Sequence, residues 1–140
     1  MRIGPVEYIV VSFPGNEFNG RIAPELVALV ESGTVRILDL IFIGKDAQGD
    51  VLAFEIDELA DALGFDKLPG EFGGLIGPED IEFVGAQLEP NSSAGLLIWE
   101  DVWATPFASA VLESGGILLQ GARIPHDVIE SALDALPPAV

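Results

Sequence analysis

Apolar residues along this chain fall into two kinds of run, and their spacing predicts alternating strands and helices. Short runs rich in β-branched and aromatic residues are typical of strands, and they cover residues 6–13, 35–43, 51–56, 94–99 and 117–124. Longer stretches place apolar residues on one side of a helix, and they cover residues 21–31, 78–88, 103–113 and 126–136. This order of elements predicts an α/β (α+β) fold.

Glycine, proline and aspartate mark the connections between these elements. Residues 45–50, KDAQGD, separate two strand runs and predict a β-hairpin, in which Asp46 and Gly49 are ordinary turn residues. Residues 57–63 have the pattern of a short helix. Residues 68–78 are too rich in glycine and proline for a regular helix, so we expect an irregular connection there.

Two parts of the chain follow the same plan. In each, a strand leads into a helix that ends in Glu-Ser-Gly, at residues 31–33 and 113–115, and a second strand follows. A strand–helix–strand unit of this kind is right-handed and places its two strands parallel in one sheet. The repeated plan indicates duplicated βαβ units.

We therefore predict one ferredoxin-like domain over residues 1–140, made of duplicated βαβ units and an extra hairpin strand. It would contain a βαββ half over 1–56, an irregular connection over 57–77 and an αβαβα half over 78–136. The expected sheet is mixed and roughly five-stranded. The first strand of each unit would lie at its centre, and the helices would cover one face only.

The predicted second strand is apolar on both sides. Alternation would place three isoleucines on one side and three other large residues on the opposite side: Ile37, Ile41 and Ile43 against Leu38, Leu40 and Phe42. Helices on one face leave the other face open, so something should cover it. We expect a homo-oligomer that packs through this sheet face.

Charge narrows the range of partners. The chain has 23 acidic and 6 basic residues, and its net charge of −17 repels nucleic acid and anionic membrane surfaces. No apolar run reaches the roughly 20 residues that span a bilayer, and the opening MRIGP does not resemble a signal peptide. With no cysteine there is no disulfide framework. We expect a cytoplasmic protein of a microbe, whose acidity serves solubility or attracts a basic partner or a cation.

Two stretches carry a resemblance to a known family. The opening GPVEYIVVSFPGN (residues 4–16) and the later SSAGLLIWE (residues 92–100) resemble an uncharacterised bacterial domain of unknown function. That family is similar in plan to a wider group labelled "predicted membrane protein". The middle of this chain is short and carries Glu71, Glu79 and Asp80, so the membrane label is not carried over. The resemblance implies the fold and no activity.

No catalytic or metal-binding pattern is complete in the sequence. His126 is the only histidine and there is no cysteine, so an ordinary zinc or haem site has too few ligands. The glycine-rich residues 70–77 lack the Gly-Lys-Ser/Thr ending of a phosphate loop, and Glu71 would repel phosphate. A Gly-x-Ser-x-Gly nucleophile motif is absent. We therefore expect no cofactor, no metal and no catalytic residue, although an enzyme remains an alternative.

One short segment, Trp99, Glu100, Asp101 and Trp103, is a possible interaction patch. Its two tryptophans either complete the core or anchor a partner, because tryptophan is frequent at interface hot spots. Its two carboxylates would also serve as a general acid–base pair, although nothing else in the sequence gathers around them.

Two functions follow from these observations. The first is a non-enzymatic oligomerising or interaction domain. The alternative is a small-molecule binder or cofactor-free enzyme of ferredoxin-like type, with a pocket between sheet and helices.

Overall fold

The computed structural model describes residues 3–17, 21–55 and 73–137. The predicted helix over 57–63 and the first part of the glycine-rich connection lie outside these residues. The chain divides into two compact units, Met1–Ala110 and Val111–Val140, and each is described by itself.

A four-stranded sheet forms the centre of the first unit. Its strands are β1 (Val6–Phe13), β2 (Val35–Lys45), β3 (Val51–Glu55) and β4 (Ser92–Asp101). Their spatial order is β1-β4-β2-β3. Every neighbouring pair is antiparallel, so β1 and β2, which both pair with β4, run parallel to each other as the βαβ prediction requires.

Helices and a tight hairpin connect the strands. The helices are α1 (Ile22–Glu31), α2 (Pro78–Gln87) and α3 (Thr105–Glu113), with short 3-10 turns at Pro14–Asn16 and Val102–Ala104. The predicted hairpin is confirmed: the Asp46 carboxylate accepts hydrogen bonds from the backbone N–H groups of Gln48 and Asp50, each at 2.9 Å. Gly49 takes a φ of 90°, which few other residues adopt without strain.

Helix α1 covers one face of the sheet. Ala23 packs against Ile37 and Leu40 of β2, and further side chains of α1, β2 and β4 complete the cluster: Leu26, Val30, Phe42 and Leu97. Because neighbouring strand residues point to opposite faces, the residues of β2 and β4 in this cluster define one face, called here the α1 face.

Helix α2 covers the opposite face, called here the α2 face. Val84 and Leu88, in and just after the helix, pack against the β-strand residues Ile41, Ile43 and Leu96, together with Ile76 and Ala94. The prediction that helices cover one face only is therefore wrong. The apolar character of both sides of β2 reflects two helix layers.

A bulge in β2 changes which residues share a face. Ile37 pairs with Trp99, but Asp39 pairs with the next residue of β4, Ile98, so Leu38 is an extra residue on β2. Ile37 therefore lies on the α1 face, whereas Ile41 lies on the α2 face. Their predicted placement on one side was wrong because an inserted residue reverses the alternation.

Two charged side chains of β2 hold the ends of α2. The Asp39 residue is fully buried, and its carboxylate accepts the backbone N–H groups of Leu75 at 2.8 Å and Ile76 at 2.7 Å, just before the helix. The Lys45 ammonium donates to the carbonyls of Gly85 and Leu88, each at 2.9 Å. These bonds satisfy polar groups that the turn before the helix and its C-terminal end leave unpaired.

The described part of the second unit contains the last three residues of α3 and one complete helix, α4 (His126–Asp134). Residues 117–125 belong to no helix or strand, so the structure does not form the predicted fifth strand over 117–124. Without it, β1 is an edge strand rather than a central one. Phe107 and Leu112 of α3 are 75% and 64% exposed.

We expect Asp39→Asn to destabilise the first unit by about 3 kcal/mol. The amide keeps one acceptor oxygen, but its NH2 group would then face at least one of the backbone N–H donors that now bond to the two carboxylate oxygens, including Leu40 N–H at 2.8 Å. Chemical denaturation followed by tryptophan fluorescence measures this change. Asp50→Asn, at an exposed turn position, is the matched control. Equal stability of the two variants would contradict the role of Asp39.

Candidate functional site

The segment predicted as an interaction patch lies at the end of β4 and does not form one surface. Trp99 is half-buried, and its indole N–H donates to the Glu7 carboxylate at 2.8 Å. Glu100 and Asp101 are both buried. Trp103, in the following turn, is 67% exposed and is the member of the patch that solvent reaches most freely.

The two carboxylates of this segment point to opposite faces. Glu100 lies opposite Arg36 on the α2 face, and Asp101 lies opposite Val35, the next position along the strand. Glu100 is engaged on both oxygens: Gly4 N–H donates at 2.7 Å and Arg36 Nε at 2.8 Å. This arrangement does not present a general acid–base pair to one substrate.

Hydrogen bonding controls the ionisation of Glu100. The Gly4 N–H, with help from the Arg36 guanidinium and against the effect of burial, holds the pKa of the Glu100 carboxyl below its usual range. The bond also draws the segment before β1 onto the sheet. A Cβ atom on Gly4 would overlap Thr105 Oγ1 and lie 2.8 Å from the Asp101 carbonyl oxygen, so this approach requires glycine.

The α2 face of the sheet is apolar and exposed on its β1 side. Val6, Tyr8 and Val10 of β1 are 48%, 50% and 41% exposed, and Phe83 of α2 is 71% exposed. We call these four residues the β1 surface. The three strand residues share one face because they alternate along β1 and pair with Glu100, Ile98 and Leu96.

A groove of 420 Å³ runs between β1 and α2. Tyr8, Val10 and Ser12 line one side, and Phe83 and Gln87 line the other. Burial and the nearby negative charge of Asp80 raise the pKa of the Tyr8 phenol above its usual range, which already keeps a tyrosine hydroxyl protonated at neutral pH. Protonated, it is an uncharged donor at the rim of an apolar surface.

A second groove, of 650 Å³, lies between α2 and the β2–β3 hairpin. Its walls are largely apolar, and Lys45 and Glu82 contribute the charged side chains that line it. The Lys45 ammonium already donates to two helix carbonyls. Few polar groups therefore converge on this groove, whereas a typical ligand site combines apolar walls with several placed polar groups.

The remaining candidate chemistry is dispersed over the described residues. His126 is exposed at the start of α4, with its Nε2 3.3 Å from Glu130 Oε1. Within residues 3–17, 21–55 and 73–137, no group of three or more acidic or histidine side chains is placed to hold a metal ion. In the same ranges, no helix has the length and apolar character needed to cross a membrane.

Sequence reasoning missed the β1 surface. The predicted contact residues are the two tryptophans, and neither lies on β1 or α2. A signal was present in α2, where the inner stripe of Ile81, Val84 and Leu88 does not include Phe83. An aromatic residue outside the buried stripe of an amphipathic helix indicates an exposed apolar site.

We expect Glu100→Gln to lower stability by about 1 kcal/mol at neutral pH, because a charge-assisted acceptor becomes neutral. A carboxyl whose pKa is lowered by folding stabilises the protein above its usual pKa and loses this contribution as the pH falls through its folded pKa. The difference between wild type and variant should therefore shrink below about pH 4. Urea denaturation at several pH values measures it, with exposed Glu89→Gln as control. A pH-independent difference would refute the assignment.

Comparison with known proteins gives a family without an activity. No curated protein and no solved structure matches the chain. Residues 2–139 match the model of a family of unknown function, DUF6325. This match confirms the resemblance to an uncharacterised family. Because it covers nearly the whole sequence, the chain belongs to this family of unknown function, DUF6325.

Proposed function

We propose that this chain is a non-enzymatic interaction domain that self-associates through the β1 surface. The observation that carries the proposal is the exposed cluster of Val6, Tyr8, Val10 and Phe83 beside a groove of 420 Å³. Large apolar side chains grouped on one face are costly in water and mark contact surfaces. The expected sheet-face interface is thereby narrowed to its β1 side, since α2 covers the middle of that face.

The charge distribution favours an apolar contact. The chain carries a net charge of −17, yet the side chains that line the groove at the β1 surface are uncharged. A basic partner would need carboxylates at the contact, and its binding would weaken with salt. Association of two acidic copies through apolar side chains should strengthen with salt, because salt screens their mutual repulsion.

The ferredoxin-like arrangement of five strands is part of the proposal. In its support, β1 and β2 are parallel with β4 between them, which is the spacing of one βαβ unit in that fold. A fifth strand would complete the second βαβ unit that the sequence predicts. We also propose a cytoplasmic location in a bacterium, on the strength of the cysteine-free sequence and the early resemblance.

A small-molecule binder is the second candidate function. The 650 Å³ groove beside α2 favours it, because this volume suits a small ligand. Few polar groups line this groove, and this favours an interaction domain over a small-molecule binder. Trp103 offers a third possibility, a separate protein contact built on the exposed member of the predicted patch.

We expect the wild-type chain to form a dimer or larger species at low micromolar concentration in moderate salt. The double variant Tyr8→Thr/Phe83→Gln should weaken self-association by about 30-fold or more, since loss of an interface anchor costs about 2 kcal/mol. Light scattering behind size exclusion, over a series of concentrations, measures the mass. Threonine suits a strand and glutamine suits a helix, so folding should be retained.

Two exposed aromatic residues of the first unit provide matched controls. Phe107→Gln and Trp103→Gln remove side chains that are 75% and 67% exposed, respectively, and both should leave the mass unchanged. Dissociation by Trp103→Gln alone would move the interface to the predicted patch. A wild-type chain that stays monomeric at all concentrations would contradict self-association. It would favour the second candidate function, ligand binding in the 650 Å³ groove.

A further inference from the structure

A row of three exposed residues runs along the outer side of α2. Glu79, Phe83 and Gln87 follow one another at four-residue spacing, so their side chains lie above one another on one side of the helix. The inner residues Val84 and Leu88 pack on the sheet instead. The row therefore stands clear of the core and meets the β1 surface at its central residue, Phe83.

The two ends of the groove between β1 and α2 differ in charge. Glu79 and Asp80 lie in the first turn of α2. Besides burial, the negative charge of Asp80 raises the pKa of the Tyr8 phenol, so Tyr8 marks the same end of the groove. At the other end, Ser12 and Gln87 line the groove, and both are uncharged side chains with hydrogen-bond donors. The groove thus has an acidic end, an apolar middle and a neutral end that carries donors.

The amide of Gln87 has the capacity to bind an acceptor outside its own helix. Its Nε2 carries two hydrogens and donates to the Phe83 carbonyl at 3.2 Å. The residue is exposed, so the second hydrogen of the same group faces solvent or a neighbouring molecule. A carboxylate is the strongest acceptor that a protein side chain offers to such a donor.

We propose that two copies of this chain pair with their α2 helices antiparallel, so that Phe83 of each copy enters the groove of the other. A two-fold contact brings the same patch of both copies together. The antiparallel direction places Glu79 of one copy beside Gln87 of the other, whereas the parallel direction would place the two acidic ends together, where like charges repel. This arrangement rests on the proposed self-association and names the side chains that each copy contributes.

Phe83 is the side chain that a second copy is best placed to receive. It forms one wall of the groove in its own copy and therefore cannot also fill that groove. Insertion into the groove of a second copy would cover its ring, which is 71% exposed, together with the exposed sides of Tyr8 and Val10. The contact would also bring two aromatic rings close to the symmetry axis, and such pairs add to the free energy gained from buried area.

Cross-linking between cysteine variants determines the direction of the two helices, because the natural chain has no cysteine. Glu79→Cys and Gln87→Cys chains are prepared separately, since the two positions are roughly 12 Å apart along the helix. A thiol-reactive cross-linker shorter than this distance is applied to each variant alone and to an equal mixture in which the copies have had time to exchange partners. Intact mass spectrometry identifies the covalent dimers.

We expect covalent heterodimers from the mixture, and from each variant alone no more dimer than from the control Gln48→Cys, which lies in the exposed hairpin turn. Two results would overturn the arrangement. Covalent dimers from either variant alone would show that the helices are parallel. A mixture that gives no more dimer than the control would show that the ends of α2 do not meet.

The charge at position 87 provides a second measurement. Gln87→Glu places a carboxylate beside Glu79 of the other copy and should weaken the dimer about 5-fold, whereas Gln87→Lys should strengthen it about 5-fold, because each dimer contains two such contacts. Gln48→Glu and Gln48→Lys change the net charge equally at an exposed turn and are the matched controls. Effects of equal size at positions 48 and 87 would contradict the predicted contact.

Light scattering of the wild-type chain over a series of concentrations separates the two proposals. A dimer that shows neither the heterodimer cross-link nor the charge effect removes the antiparallel arrangement and leaves self-association standing. A wild-type chain that stays monomeric removes both.

Discussion

The buried carboxylate of Asp39 is the contact on which the arrangement of this protein depends. It lies on β2 beneath α2 and accepts three backbone N–H groups, two of them from the turn that leads into that helix. A buried carboxylate is tolerated only when hydrogen-bond donors surround its oxygens. If the turn before α2 moved away, the Asp39 carboxylate would lose two of its three donors. With Lys45 holding the other end, the same strand that forms the middle of the sheet also fixes where its second helix layer sits.

The position of α2 explains why β1 is exposed on the α2 face of the sheet. The helix covers the two inner strands, β2 and β4, and leaves β1 at the margin. The exposed side chains of Tyr8 and Phe83 therefore face each other across a groove instead of meeting in a core. The β1 surface is therefore exposed because the helix layer is narrower than the sheet. Its apolar side chains are of the kind that strands ordinarily contain.

The local sequence pattern was sufficient to predict most strands and helices, but not which face of the sheet each residue occupies. The positions of four strands, four helices and the hairpin followed from periodicity and turn residues, which act over a few positions, whereas the strand predicted over 117–124 did not form. The faces did not follow, because the bulge at Leu38 has no marker in the local pattern. The sequence offered Glu100 as an acid or base without partners. Its partners, Gly4 and Arg36, lie 96 and 64 residues away in sequence. Among the features of the site, the exposure of Phe83 could be predicted from a helical projection of α2.

The length of β2 is constrained because helices cover both of its faces, α1 on one and α2 on the other. Before Leu38 the odd-numbered residues face α1, and after it they face α2. Loss of Leu38 itself would restore plain alternation and keep Ile37 and Asp39 on their present faces, because they pair with the adjacent residues Trp99 and Ile98. Loss or gain of a residue at any other position in the strand would turn one half over. Asp39 would then leave the backbone N–H groups that it accepts, or Ile37 would leave its place against α1. Across proteins of this family, insertions and deletions should therefore gather in the connections and spare this strand, even where the side chains themselves vary.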